Sequence, residues 1–440
     1  MNKRILQLTL PNIISNITVP LLGMVDLSIV GHIGNVTHIG AIAIGTTIFN
    51  FIYWNFGFLR MGTSGLTAQA YGAKNLNKTV NTLVKAITTA ILISLIIIIL
   101  QYPIAKLALL FFDINAEMTK FVMLYYRIRI WAAPATLLLY VFNGWFIGMQ
   151  NANIPMIIAI ISNIINIIFS LLFAIVGKMG IVGIALGTLL AQWLGLLLSL
   201  LFWWKFYRKL WKKIDIAESL IWKDMKHFFQ INIDIFLRSF CLLIVFSFFP
   251  MASSKEGEFI LAANTILLQF FTIFSHIMDG FAYAGEALTG KYIGAKDEKS
   301  LQTMLRYLFS WGGLLSLIFT ILYAFGGDVI LSILTNKEEI ITICHSYYFW
   351  VLAIPLTGFA AFLWDGIYIG ATASKEMRNT MIVATIIFFV IYYMLCNRLG
   401  NNALWLSIIA FLIARSLLLT IFVVKKQNIF SHFFDTESLQ

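Results

Sequence analysis

The chain has 440 residues, 60% of them hydrophobic and only 12% charged, with a formal net charge of +11 and a mean hydropathy of +0.87. Soluble domains carry about 25% charged residues. A soluble globular enzyme or binding module is therefore excluded, and the basic excess has to be read against a bilayer before any nucleic acid is invoked.

The first apolar segment, 5–34, follows Lys3 and Arg4 but is not a signal peptide. It is too long, it contains Pro11, Asn12 and Asn16, and no small-residue cleavage site follows. It reads as a spanning helix, and PLLGMVDLSIVGHIG (20–34) sets Asp26 inside it. A carboxylate at that depth costs roughly 2.5–3.5 kcal/mol on insertion scales. Intramembrane acids mark ion or proton paths more often than packing, and low polarity favours the neutral carboxyl, which can then exchange a proton. The bland alternative is a permanently neutral group bonded to Asn and Thr neighbours. Ser15, eleven residues earlier, falls within about 20° of the same helix face. Pro11 and Pro20 each remove a backbone hydrogen bond, so this helix can bend.

Eleven more helices follow, at 39–70, 79–103, 123–148, 154–176, 180–204, 226–252, 257–290, 301–325, 341–370, 376–397 and 401–424. Stretches such as 131–177, 179–204, 259–278, 307–327, 340–364 and 379–397 hold no Asp, Glu, Lys or Arg. Each reaches the about 18 residues a membrane span needs. The fold class is all-α: a polytopic membrane protein of twelve transmembrane helices. Phe51, Tyr53, Trp54 and Phe56 on helix two, with Phe270, Phe271 and Phe274 on helix eight, could face a cavity or, more commonly, lipid. Helix five carries Asn163 and Asn166 on one face, in SNIINIIFS (162–170), as a site or as interhelical glue. Between helices six and seven lies the one long polar connection, 205–225, basic and amphipathic, suited to an anionic membrane surface. It divides an N-terminal lobe, 1–204, from a C-terminal lobe, 226–440.

Acids of the second lobe are Asp234, Asp279, Glu286 and Asp365. Asp234 and Arg238, four apart, are expected to pair. Asp279 and Glu286 share a face of helix eight; with Asp365 they could form a second ion or substrate site, or hold the lobe together through Arg238 or Arg415. Cys241, Cys344 and Cys396 have no paired spacing and read as small core residues. No metal site is expected.

Counting connections alternately, 20 of the 31 basic residues fall on the side of the termini and linker and six on the other. That places both termini in the cytoplasm. The net charge thus reports orientation, with no nucleic-acid partner. An internal repeat also emerges. LTAQAYGAKN (66–75) aligns with LTGKYIGAKD (288–297), and NGWFIGMQ (143–150) with DGIYIGAT (365–372), both at an offset of 222. Six helices separate equivalents, so the lobes are pseudo-symmetric parallel repeats. The GxxxG spacings Gly144/Gly148 and Gly366/Gly370 read as close-packing surfaces.

With GTSGLTAQAYGAKN, MDGFAYAGEALTGKYIGAKD and LWDGIYIGATASKEMRN added to the first-helix motif, the sequence resembles the multidrug and toxic compound extrusion (MATE) family, and within it the DinF-like branch. The resemblance runs over 5–425. It implies a two-lobe antiporter of the inner membrane, a monomer without cofactor, that exports organic cations and amphiphiles in exchange for protons or, alternatively, sodium ions. By the same resemblance Asp26 matches the first-helix aspartate used for coupling, and Pro11 the position where that helix bends. The family's fifth-helix aspartate is Ser170 here, so Asp26 would work with Asn163, Asn166 and Ser170 instead of a second acid. A lipid-linked sugar flippase is a lesser alternative, since its cavity should be strongly cationic. An enzyme is disfavoured, with no HExxH, G-x-S-x-G or P-loop, and the missing P-loop also removes ATP as a driver.

Overall fold

In the computed structural model the described residues are 1–33, 36–112 and 114–425; within them the side chains of 19–22, 24, 26, 27, 30, 32, 33, 36, 424 and 425 are not described. The described chain is helical throughout, in the order α1 Asn2–Ile33, α2 Val36–Asn55, α3 Phe58–Gly72, α4 Leu76–Ile99, α5 Gln101–Leu109, α6 Ala116–Arg129, α7 Ala133–Gly148, α8 Asn153–Leu171, α9 Ile181–Tyr207 and α10 Ile216–Ser219, then α11 Trp222–Lys255, α12 Glu258–Gly294, α13 Glu298–Leu334, α14 Glu338–Gly370, α15 Ser374–Leu399 and α16 Asn401–Lys425. Among the described residues eleven helical stretches are long and apolar enough to cross a membrane, and α1 adds a twelfth helix of 32 residues. Some expected helices are split. The one expected over 39–70 breaks between α2 and α3 at Phe56 and Gly57, and α6 and α7 share a single span, Ala116–Gly148. α1, by contrast, continues through both of its prolines.

Two compact units result, Leu10–Phe229 and Met1–Thr9 with Gln230–Gln440. The basic linker therefore does not stand apart but folds onto the first unit. Ser219 Oγ donates to Asn81 Oδ1 at 2.9 Å, Lys213 Nζ to Asn77 Oδ1 at 3.1 Å, and Lys85 pairs with Asp224 at 3.0 Å. The first residues likewise belong to the second unit: Trp311 Nε1 donates to Asn2 Oδ1 at 3.3 Å and Arg4 to the Tyr292 hydroxyl at 3.4 Å.

Internally the units repeat one another down to single atoms, always at the offset of 222. Gly144 of α7 lies against the Arg60 carbonyl of α3, and Gly366 of α14 against the Ala282 carbonyl of α12. One turn on, Gly148 faces the carbonyl of Ser64 and the Thr67 side chain, and Gly370 faces the carbonyl of Glu286 and the Thr289 side chain. At the next connection Lys74 and Lys296 are both left-handed, at φ 56° and 53°. Each is followed by a helix cap: Asn75 accepts the Lys78 N–H at 2.9 Å, and Asp297 accepts the Ser300 N–H at 3.0 Å. The small-residue spacing exists because backbone meets backbone there. A Cβ at either first glycine would sit inside a carbonyl oxygen's contact radius. Gly366→Leu should therefore separate α12 from α14, costing about 1–3 kcal/mol or more and lowering the thermal unfolding midpoint of the purified protein; Gly144→Leu should do the same in the first unit.

The paired caps give a pH-dependent prediction. Hydrogen bonds from Ser300 hold the Asp297 carboxyl below its ordinary range. A depressed carboxylate stabilises above its unfolded-state value and loses that contribution as pH falls through the folded one. Asp297→Ala should cost about 1 kcal/mol at neutral pH, and its melting curve should converge on wild type in acid.

Candidate functional site

In the first unit the relevant surface is the seam between α8 and α9. Three glycines of α9 let the helices close: a Cβ on Gly183 would meet the Ala174 nitrogen at 2.5 Å, on Gly187 the Ser170 nitrogen at 2.7 Å, and on Gly195 the Ser162 hydroxyl at 2.5 Å. Polar side chains fill the gap. Asn166 Nδ2 donates to Thr188 Oγ1 at 3.2 Å, and the Ser170 hydroxyl donates to Asn166 Oδ1 at 3.2 Å, with Asn166 and Ser170 both buried. Asn166 therefore ties α8 to α9, and Ser170 holds it from one turn along the same helix. Asn163, nearly a turn earlier and half-buried, keeps an amide nitrogen with no hydrogen-bond partner. Ser170 sits where a carboxylate would have to be accommodated against the Gly187 backbone, and among the described residues this seam holds no acid. The side chains of Asp26 and Pro20 lie outside the described residues. Pro11 is buried, and its carbonyl accepts the Ser15 hydroxyl at 3.0 Å.

The unit has a further polar centre, built on an arginine of α6. Arg129 donates to the Tyr125 hydroxyl at 2.7 Å and lies 4.9 Å from the Phe49 ring centre, with Tyr53 stacked on Phe49. An arginine followed from a tyrosine four residues back is the only trace of it in sequence. Among the expected aromatic residues, Tyr53 is thus buried here, whereas Phe51 and Trp54 are exposed.

The second unit gathers its charge where α11, α14 and α16 meet. Arg238, Asp365 and Arg415 are 7%, 5% and 2% exposed. Both guanidiniums donate to one oxygen, Asp365 Oδ2: Arg238 through a short contact and Arg415 at 2.5 Å. Asp279 of α12 also acts on Arg415 electrostatically. Glu286, fully buried, sits farther along α12 at the Gly370 contact.

The expected Asp234–Arg238 pair does not form. Asp234 accepts from the Ser374 hydroxyl at 2.9 Å and pairs with Arg378, both from the first two turns of α15. Helical spacing put Asp234 and Arg238 on one face, but each found a partner on another helix. A carboxylate oxygen shared by two fixed cations is not free to coordinate a third, so the arrangement at Asp365 suits an anion better than a metal cation. Among the described residues no group of three or more His, Cys, Asp or Glu side chains is placed to hold a metal ion.

Comparison with known proteins agrees with this architecture. The family model MatE matches residues 11–172 and 235–397, one segment in each unit. DNA damage-inducible protein F of Escherichia coli is 36% identical over 420 residues, covering 94% of this chain and 90% of that protein. The multidrug resistance protein NorM of Aliivibrio fischeri is 23% identical over 78% of this chain and 75% of its own. The crystal structure of MATE in the bent conformation superposes with a TM-score of 0.86 at 19% identity, over 99% of this chain and 97% of that one, and so shares the fold. Carried on twelve helices with a doubled family match, the chain belongs to the MatE family of multidrug and toxin efflux transporters.

Proposed function

We propose that this transporter exports organic cations and amphiphiles in exchange for protons, with Asp26 as the exchangeable carboxyl. It works as a monomer in the inner membrane, termini in the cytoplasm, without a cofactor. The observation that carries protons over sodium is the commitment of Asp365 Oδ2 to two arginines. Hard cations want several oxygen ligands at once. In the second unit the central carboxylate is taken, and in the first Asn166 Oδ1 already accepts from Ser170, which itself replaces an acid. A proton needs only one carboxyl. Asn163, with its unpaired amide nitrogen, is the α8 group left to stabilise the charged form.

In this reading protonation from outside discharges the bound compound, and deprotonation toward the cytoplasm resets the site. Everted vesicles give the test. An imposed inside-acidic gradient should drive ethidium uptake, and a gradient with sodium high inside the vesicles, at equal pH, should not. Uptake driven by sodium alone would overturn the proton assignment.

A further inference from the structure

The Arg238–Asp365–Arg415 cluster is incompletely bonded. Asp365 Oδ1, Arg238 Nε and Arg415 Nε are all buried and have no hydrogen-bond partner. Buried polar atoms are nearly always paired, by protein or by ordered water, and here three unpaired ones belong to the three side chains that meet at Asp365 Oδ2. In direct contact two cations face one anion, with Asp279 the other acid acting on Arg415.

Aromatic rings stand beside the charges. The Arg415 guanidinium lies 5.3 Å from the Phe411 ring centre and 6.0 Å from that of Phe362. Phe362 continues to Phe274 and Phe271, at 6.1 and 6.2 Å between centroids. Guanidinium N–H groups prefer a carboxylate over any other common partner, and stacking against aromatic faces leaves their edges free to donate. A carboxylate on an aromatic or apolar body satisfies both the donors and the wall. The remaining acceptor, Asp365 Oδ1, suits a hydroxyl, amide or ammonium on the same compound.

We propose that this cluster is an anion subsite, binding the carboxylate of aromatic or amphiphilic organic acids and zwitterions. The transporter's range then extends beyond cations. The inference concerns binding alone and does not rest on which ion drives export.

The test uses the full-length protein in lipid nanodiscs, titrated with 1-naphthoate and, for comparison, 1-naphthylmethylammonium, with no gradient imposed. Wild type should bind naphthoate saturably. Arg415→Gln should weaken that binding by about tenfold or more, the worth of a hydrogen bond to a charged group. Where that variant fails to fold, Arg415→Lys serves in its place: it keeps the charge, loses the fork and should bind several-fold more weakly. Asp365→Asn is the second arm. It removes the competing negative charge while leaving an amide oxygen, so naphthoate should bind more tightly, whereas a purely structural cluster gives no such gain. Absence of saturable naphthoate binding to wild type overturns the proposal. So does unchanged affinity in the folded Arg415 variant, or an Asp365→Asn protein that binds naphthoate no better. Ethidium export is read separately, so failure here leaves the coupling scheme standing, and the reverse also holds.

Discussion

Asp365→Leu should lower the stability of the protein by about 3–5 kcal/mol, the usual result of stranding a buried partner charge. The side chains of Arg238 and Arg415 are only 9% and 3% exposed. Without the carboxylate they repel each other in a medium of low polarity and cannot reach water. Asp365→Asn should cost less, because one amide oxygen still accepts from a guanidinium. The informative control is the triple variant Arg238→Met, Asp365→Leu, Arg415→Met. Replacing a whole buried ion cluster by apolar groups of similar size is often neutral or stabilising, so the triple variant should recover most of the stability and lose naphthoate binding. Thermal unfolding of the purified proteins checks the series. A wild-type melting point for Asp365→Leu would mean the arginines find water or another acid.

Asp26→Asn should abolish proton-driven export while leaving insertion and folding intact. The asparagine removes the roughly 2.5–3.5 kcal/mol that a charged carboxyl costs at bilayer depth, so the protein should accumulate at least as well as wild type. What it lacks is a proton to exchange: it is held in the neutral form and cannot cycle. Asp26→Glu still titrates and should retain part of the activity, its extra methylene displacing the carboxyl. Export by Asp26→Asn at the wild-type rate would assign coupling to the second unit.

Much of the architecture was legible because bilayer solvation writes directly into sequence. Charge-free runs marked the spans, and the 222-residue offset that matched LTAQAYGAKN to LTGKYIGAKD also relates Gly144 to Gly366 and the Asn75 cap to the Asp297 cap. GxxxG spacing could be read as close packing because a missing Cβ has few other uses at that period. Helix ends were harder. α13 runs to Leu334, beyond the expected 325, since a helix tolerates Asp328 where its side chain is exposed. The break at Phe56 and Gly57 has no counterpart at the equivalent Met278 and Asp279, where α12 continues. Least legible were partners. Periodicity shows which side chains share a face, but Asp234 chose Arg378, 144 residues away in chain, and Arg238 chose Asp365, 127 away, through contacts between helices. Ser170 was visible as a departure from the family pattern; that its hydroxyl would be spent on Asn166, and Asn166 on Thr188, was not.

Proton release on substrate binding tests the coupling claim most directly. Ethidium added to detergent-purified protein in weakly buffered solution, near the pH where Asp26 is protonated, should release about one proton per molecule bound, as linkage between the two ligands of one carboxyl requires. Asp26→Asn should release none. If the Asp26→Asn protein binds ethidium and releases as many protons as wild type, Asp26 is not the group that exchanges them.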